Sequence, residues 1–217
     1  MDTPLFDREP PPAYQKDILG PGTAVLSGFA LDAEDELLAS LHRVAEQSPF
    51  RHMVTPGGFR MSVAMTNCGA LGWVTDRSGY RYAQIDPETG RPWPDMPNAF
   101  RGLAERAAAE AGFSHFAPDS CLINRYEPGA KMSLHQDKDE HDFTHPIVSV
   151  SLGLPATFLF GGLERTDKTH RIRIVHGDVI VWGGPARLRY HGIAPLKDGK
   201  NDLAGGFRYN LTFRNAG

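Results

Sequence analysis

Between residues 121 and 214 the chain reads as a series of short β-forming runs separated by turn residues, and no helical pattern interrupts them. C-L-I-N-R-Y (121–126) is followed by Glu127-Pro128-Gly129 and then by M-S-L-H-Q-D (132–137). I-V-S-V-S-L-G-L (147–154) alternates, with Val148, Val150, Leu152 and Leu154 on one face. A-T-F-L-F (156–160) ends at Gly161-Gly162. R-I-R-I-V (171–175) meets V-I-V-W (179–182) across His176-Gly177-Asp178, turn chemistry that predicts a hairpin with His176 exposed. R-L-R-Y-H (187–191), read as a strand ending at His191, and F-R-Y-N-L-T-F-R (207–214) complete the series. Parallel neighbours need long crossover connections, usually helices. Strands this close together therefore predict an antiparallel sandwich or barrel, and a double-sheet jelly roll is the natural form.

Helices are expected only before this region, which makes the class α+β. Residues 22–29 predict a short strand. Asp32 is placed to cap a helix over residues 33–47, whose Leu37, Leu38, Leu41, Val44 and Ala45 form an apolar stripe. Residues 98–111 predict a second helix, stopped by Gly112. Between them, residues 50–93 carry scattered glycines and the aromatics Phe59, Trp73, Tyr80, Tyr82 and Trp93, a texture of short strands and loops that can present a binding surface. Residues 1–20, with Pro10-Pro11-Pro12, are expected to be a flexible arm. Residues 21–217 are expected to be one domain, with an insertion over about 49–94 and the jelly-roll core over about 113–214.

Composition bounds the function. A net charge of -3 argues against a protein that coats nucleic acid by bulk electrostatics. No apolar run is long enough to span a bilayer, and the first residues lack the order of a signal peptide, so a cytoplasmic protein is expected. Cys68 and Cys121 are read as reduced thiols rather than a disulfide framework.

The chemistry centres on His135-Gln136-Asp137. In an extended strand, residues two apart share a face, so one imidazole and one carboxylate enter the same space. A second histidine would complete the two-His, one-carboxylate triad that holds Fe(II) and leaves coordination positions open. His141 and His145 sit in a charged run and read as loop residues, and His176 sits in a turn. His191, before a glycine that permits close backbone approach, is the best third ligand. The last strand adds a second constellation. Arg208, Asn210, Thr212 and Arg214 share one face, while Phe207, Tyr209, Leu211 and Phe213 share the other. If the apolar row packs against another layer, the arginines face a cavity and need an anion, for which a small dicarboxylate fits. Asn124, Tyr126, Ser149 and Ser151 add polar groups to the same interior. The plainer alternatives are structural histidines and an edge strand with solvated arginines.

These residues resemble the AlkB family. The similarity runs from about residue 49 to residue 213 and includes S-P-F-R-x-M-V-T-P-G-G, M-S-V-A-M-T-N-C-G, L-G-W, C-L-I-N-R-Y, S-L-H-Q-D-K-D-E, H-G-D-V-x-V-W-G-G and R-Y-N-L-T-F-R. The resemblance implies an Fe(II)- and 2-oxoglutarate-dependent dioxygenase that uses O2 to remove alkyl groups from bases in single- or double-stranded DNA, with RNA as a further substrate. It implies iron on His135, Asp137 and His191, and 2-oxoglutarate on Asn124, Tyr126, Arg208, Asn210 and Arg214. It also implies that Trp73 stacks on the extruded base, that Tyr80, Arg81 and Tyr82 contact the nucleotide, and that Asp139 and Arg165 line the base site. A monomer without membrane contact is expected. Arg81 stands where the family pattern has an apolar residue and Phe59 where it has tyrosine, which bears on substrate preference. Two other classes stay open on the residues alone: an Fe(II)/2-oxoglutarate hydroxylase of a protein or small molecule, and a non-enzymatic jelly-roll binding module.

Overall fold

The computed structural model describes residues 14–217. In chain order its strands are β1 (Gln15–Gly20), β2 (Thr23–Ser27), β3 (Ala64–Gly69), β4 (Gly72–Asp76), β5 (Gly79–Ala83), β6 (Ser120–Tyr126), β7 (Met132–His135), β8 (Ile147–Gly153), β9 (Ala156–Phe160), β10 (His170–Ile174), β11 (Val179–Trp182), β12 (His191–Ile193) and β13 (Arg208–Arg214). Helices α1 (Glu34–Gln47) and α2 (Asn98–Glu110) lie between β2 and β6. Seven strands form one antiparallel sheet in the order β1-β2-β11-β8-β13-β6-β3, and four form a second in the order β10-β9-β12-β7. The remaining pair, β4-β5, is a separate hairpin. The double-sheet jelly roll with flanking helices is the observed architecture.

β13 organises the larger sheet because its two faces are chemically opposite. It pairs along its length with β8 and β6, with Leu211 opposite both Val150 and Ile123. On the outer face Tyr209, Leu211 and Phe213 join Val148, Val150, Cys121 and Ile123 in a core closed by the apolar stripes of α1 and α2. Phe100 of α2 meets Phe213 edge-on at 6.0 Å between ring centroids. Burying each such side chain contributes roughly 1.5–3 kcal/mol. On the inner face Arg208, Asn210, Thr212 and Arg214 look toward the smaller sheet. A second apolar cluster, including Leu122, Phe158, Phe160, Trp182 and Ile193, fills the dry part of that interlayer.

Several local expectations differ from the structure. The β10–β11 connection is not a hairpin: β10 belongs to the smaller sheet and β11 to the larger, so residues 175–178 carry the chain between layers. Gly177 takes a φ of +85° there, and Asp178 accepts from the backbone amides of Val175 and Gly28. His176 is accordingly held, not exposed: Nδ1 accepts from the Gly153 amide at 2.8 Å and Nε2 lies 2.8 Å from Glu34. Asp32 does not cap α1; it sits in a short 3-10 turn, and its carboxylate is 3.7 Å from Arg106. Residues 187–190 are not a strand, and β12 begins at His191 rather than ending there. Of the expected N-terminal arm, residues 15–20 form edge strand β1, and residues 1–13 lie outside the described residues. Within residues 50–93, β3 is an integral edge of the larger sheet, so only the β4-β5 hairpin and the adjoining loops stand apart from it. Cys68 and Cys121, distant in sequence, are direct cross-strand neighbours on β3 and β6, and both are free and buried.

Candidate metal centre and substrate cavity

The smaller sheet brings the two histidines together through backbone pairing. His191 of β12 is directly opposite His135 of β7, with ring centroids 4.4 Å apart. Gly192 permits this: a Cβ there would lie 2.6 Å from the Met132 carbonyl oxygen. β7 stops at His135, and Asp137 follows in a loop, where its backbone carbonyl accepts from Arg187 Nη1 at 2.8 Å. One ligand atom each from His135, Asp137 and His191 falls within 4.8 Å of the others. Nδ1 of His135 faces the Ser133 carbonyl at 2.9 Å, and Nδ1 of His191 faces that of Arg189 at 3.0 Å. A carbonyl can only accept, so each Nδ1 carries a proton, and each Nε2 is turned toward Asp137, at 3.5 and 3.7 Å.

The electrostatics suit a cation at this point. Burial opposes the charge on Asp137, but the Arg214 guanidinium outweighs it and holds the carboxyl well below the usual range. Burial pushes His191 down to about 4, so it is a neutral ligand at physiological pH. Arg214 donates to Asp137 Oδ2 through Nη2 at 2.7 Å and through Nε at 3.1 Å. It also lies 3.2 Å from Glu140, which in turn meets Arg187 at 3.1 Å and accepts from the Tyr82 hydroxyl at 2.8 Å. Glu140 and Arg187 escaped the sequence reading. The only sequence signal was an acid three residues past Asp137 in a charge-rich run, and its partners lie far away along the chain.

Arg208 is different. Its side chain is buried against the Tyr126 ring at 5.0 Å, and Nη2 donates to Ser151 at 3.1 Å. Nε and Nη1 have no hydrogen-bond partner. A buried guanidinium with two unspent donors fits a carboxylate. Asn210 bridges Ser149 and the Val150 carbonyl, accepts from Thr212, and lies 3.4 Å from Asn124, whose own Oδ1 is unpartnered. These groups fit a small dicarboxylate beside the triad, and a His-Asp-His donor set with open positions fits Fe(II). Of the five residues expected to hold 2-oxoglutarate, Asn124, Tyr126, Asn210 and Arg214 line a shared cavity of about 700 Å³ with the triad, and Arg208 stands behind Tyr126.

The β4-β5 hairpin walls the open side of this cavity. Buried Asn67 on β3 clamps Trp73 at its amide and its carbonyl, both at 3.0 Å, and so fixes where β4 leaves the sheet. The Trp73 indole N–H donates to Asp139 at 2.8 Å, and its ring stacks on Tyr80 with centroids 5.7 Å apart. Trp73, Tyr80, Tyr82, Asp139 and Arg165 all line the cavity. Arg81 does not; strand alternation turns it to the other face of β5, where it pairs with Asp76 at 2.7 Å. Phe59, at the rim, is 76% exposed.

Residues 22–214 match the family model of the 2OG-Fe(II) oxygenase superfamily. The alpha-ketoglutarate-dependent dioxygenase AlkB of Escherichia coli K12 is 61% identical over 199 residues, 92% of each chain. The protein of the same name from Salmonella typhimurium is 60% identical over 212 residues, covering 98% of this chain and 97% of that one. Among solved structures, that of OsALKBH1 superposes with a TM-score of 0.80 at 27% identity, covering 93% of this chain and all of that one. The two histidines, the carboxylate and the dicarboxylate cradle found in the interlayer are thus accompanied by similarity along nearly the whole chain, and the protein belongs to the AlkB family of Fe(II)- and 2-oxoglutarate-dependent dioxygenases.

Proposed function

We propose that this chain repairs nucleic acid by oxidative dealkylation of N-alkylated bases such as N1-methyladenine and N3-methylcytosine, with DNA as its main substrate and RNA as a second. The observation that carries the reading is the placement of Trp73 and Asp139, hydrogen-bonded to each other, in the same cavity as His135, Asp137 and His191. Fe(II), 2-oxoglutarate and O2, when bound, supply the oxidising chemistry: one atom of O2 goes to succinate as CO2 leaves, and the other goes to the N-alkyl carbon. The hydroxyalkyl group then departs as an aldehyde and returns the unmodified base. An N1-methyladenine is cationic, and the face of an indole and a carboxylate both favour a cation over the neutral base. Extruding a base costs roughly a few kcal/mol, least for a lesion that already cannot pair. Arg208 holds the distal carboxylate of the cosubstrate, and Arg214 orients Asp137. The aromatic wall of Trp73, Tyr80 and Tyr82 excludes water from the N-alkyl group.

Within this proposal residues 49–94 contact the nucleotide, residues 113–214 hold iron and cosubstrate, and the enzyme is a cytoplasmic monomer; gel filtration of the purified chain tests the last point. The central test is formaldehyde release from single-stranded DNA containing N1-methyladenine, supplied with Fe(II) and 2-oxoglutarate. Absence of release by folded, iron-loaded protein overturns it. Base-aromatic stacking is worth about 1–3 kcal/mol, so Trp73→Ala should raise the KM for the oligonucleotide roughly 5- to 150-fold while 2-oxoglutarate consumption without substrate persists. A hydroxylase of proteins or small metabolites would show no such selective loss.

A further inference from the structure

The two sheets are dressed unequally. The outer face of the larger sheet is covered by α1 and α2. No helix or strand among the described residues covers the outer face of the smaller sheet. That sheet, β7, β9, β10 and β12, contains no aspartate or glutamate, in a chain whose acids outnumber its lysines and arginines by 26 to 23. Its charge is carried by β10. Ile172 and Ile174 point inward with Phe158 and Phe160, so Arg171 and Arg173 point outward, opposite Leu159 and Thr157. Both arginines are exposed, and neither has an ion-pair partner among the described residues. β10 is also the open edge of its sheet.

The face is continuous with the mouth of the cavity. His170, the first residue of β10, is in register with Phe160, and Phe160 with His191, so β10 starts at the metal end of the sheet. The loop before it carries Arg165, which lines the cavity, and exposed Lys168. That loop also carries two exposed acids, Glu164 and Asp167, and the Asp167 carboxylate accepts from the Glu164 amide at 3.0 Å. Beyond this charge-balanced loop, β10 itself presents a cationic strip with no acid on it or on the strands of its sheet. In a protein of net negative charge such a strip selects a polyanion that reaches it from the cavity.

We propose that the outer edge of the smaller sheet is a docking surface for the sugar-phosphate backbone of the nucleic acid beyond the target nucleotide, with Arg171 and Arg173 contacting phosphates. The proposal rests on the dealkylase reading, and its test separates the two. Kinetics are compared on a trinucleotide with a central N1-methyladenine, which occupies the cavity alone, and on single-stranded and duplex 20-mers carrying the same lesion. Arg171→Gln/Arg173→Gln is set against wild type and against Arg171→Lys/Arg173→Lys. Each phosphate contact contributes about 0.7 to the salt slope for a single strand and about 0.9 for a duplex. The Gln variant should lower the slope of log(kcat/KM) against log[salt] on the 20-mers by roughly 1.4–1.8. Wild type should then lose roughly 7- to 12-fold more than the variant between 50 and 200 mM salt. The Lys variant should behave as wild type, and the trinucleotide should be processed equally by all three. Equal slopes on the 20-mers, or a matching loss on the trinucleotide, overturns the docking surface. Failure of wild type to process the lesion in any of the three substrates overturns the dealkylase reading instead.

Discussion

Arg208 and Arg214 share a face of β13, and strand parity alone treats them as equivalent. The fold separates them. Arg214 is neutralised by Asp137 and Glu140, while two nitrogens of the Arg208 guanidinium find nothing. A buried cation without a counter-charge is retained at a cost, because burial lowers its proton affinity. Replacing it by a long apolar side chain should therefore leave the ligand-free protein at least as stable. Arg208→Met is expected not to lower the melting temperature of the ligand-free protein. It should raise the KM for 2-oxoglutarate roughly 10- to 150-fold, the equivalent of about 1.5–3 kcal/mol for a charge-assisted hydrogen bond. An unchanged KM would remove Arg208 from the cosubstrate site. The sequence placed both arginines on the polar inner face of β13 because alternation is a local property. It could not show which was already paired, since Asp137 and Glu140 lie more than seventy residues from Arg214 and meet it only through the loop after β7. Alternation also separates Arg81 from the residues beside it. Its neighbours Tyr80 and Tyr82 are on the cavity face, and an alternating strand cannot put three consecutive residues there.

At the level of elements, strands were legible and their partners were not. The junction at residues 175–178 has hairpin chemistry, yet β10 and β11 belong to different sheets. The distinguishing signal was in the strands: β10 alternates arginine and isoleucine, as an edge with one wet face does, whereas β11 is buried at every position. The close approach of β7 and β12 carries a sharper consequence. An alanine methyl at position 192 would meet the Met132 and Ser133 backbone at 2.6 and 3.1 Å, and backbone cannot rotate out of the way. Gly192→Ala should push β12 from β7 and carry His191 away from His135. Fe(II) affinity should fall by roughly 10- to 100-fold, the range for disturbed support of metal ligands, with far-UV circular dichroism unchanged; undiminished affinity would refute the role of this contact. Asp86 ties the loop after β5 to Arg51, which donates to both of its oxygens, and it accepts from the Glu88 amide and the Thr89 hydroxyl. Burial opposes its charge, but the bonds from Arg51 and the loop outweigh this and lower its pKa. A depressed carboxylate stabilises the fold above its unfolded pKa of about 3.9, and that contribution is lost as pH falls through the lower folded value. Asp86→Asn should thus be less stable than wild type at pH 7, and the gap should close progressively below about pH 4 in chemical denaturation. A gap independent of pH would show that the charge is irrelevant.

Across the whole molecule, the proposed ligands join two layers that otherwise meet mainly through apolar packing. His135 and His191 belong to the smaller sheet, while Asp137 is held by Arg214 of the larger one. The proposed cosubstrate residues Asn124, Tyr126, Arg208 and Asn210 also belong to the larger sheet. A metal held by these three residues would therefore fasten the loop after β7 to β12. A dicarboxylate bound to that metal and reaching Arg208 would fasten the smaller sheet to the larger. Ligand that binds only the native state adds RT ln(1 + [L]/Kd), about 2.7 kcal/mol at a hundredfold excess over Kd. For a domain of this size each kcal/mol raises the melting temperature by about 2–4 °C, so anaerobic Fe(II) should shift it by about 5–11 °C. 2-Oxoglutarate alone should add little, because Arg208 offers it one end only. With Fe(II) present it should add a further shift, since both ends are then held. His135→Ala should lose both shifts while remaining folded, because its half-exposed side chain faces the cavity rather than a core. Equal shifts in that variant would mean that the metal binds elsewhere. A large shift with 2-oxoglutarate alone would mean that the dicarboxylate does not depend on the metal, and that the two sheets are joined by Arg208 and its neighbours without it.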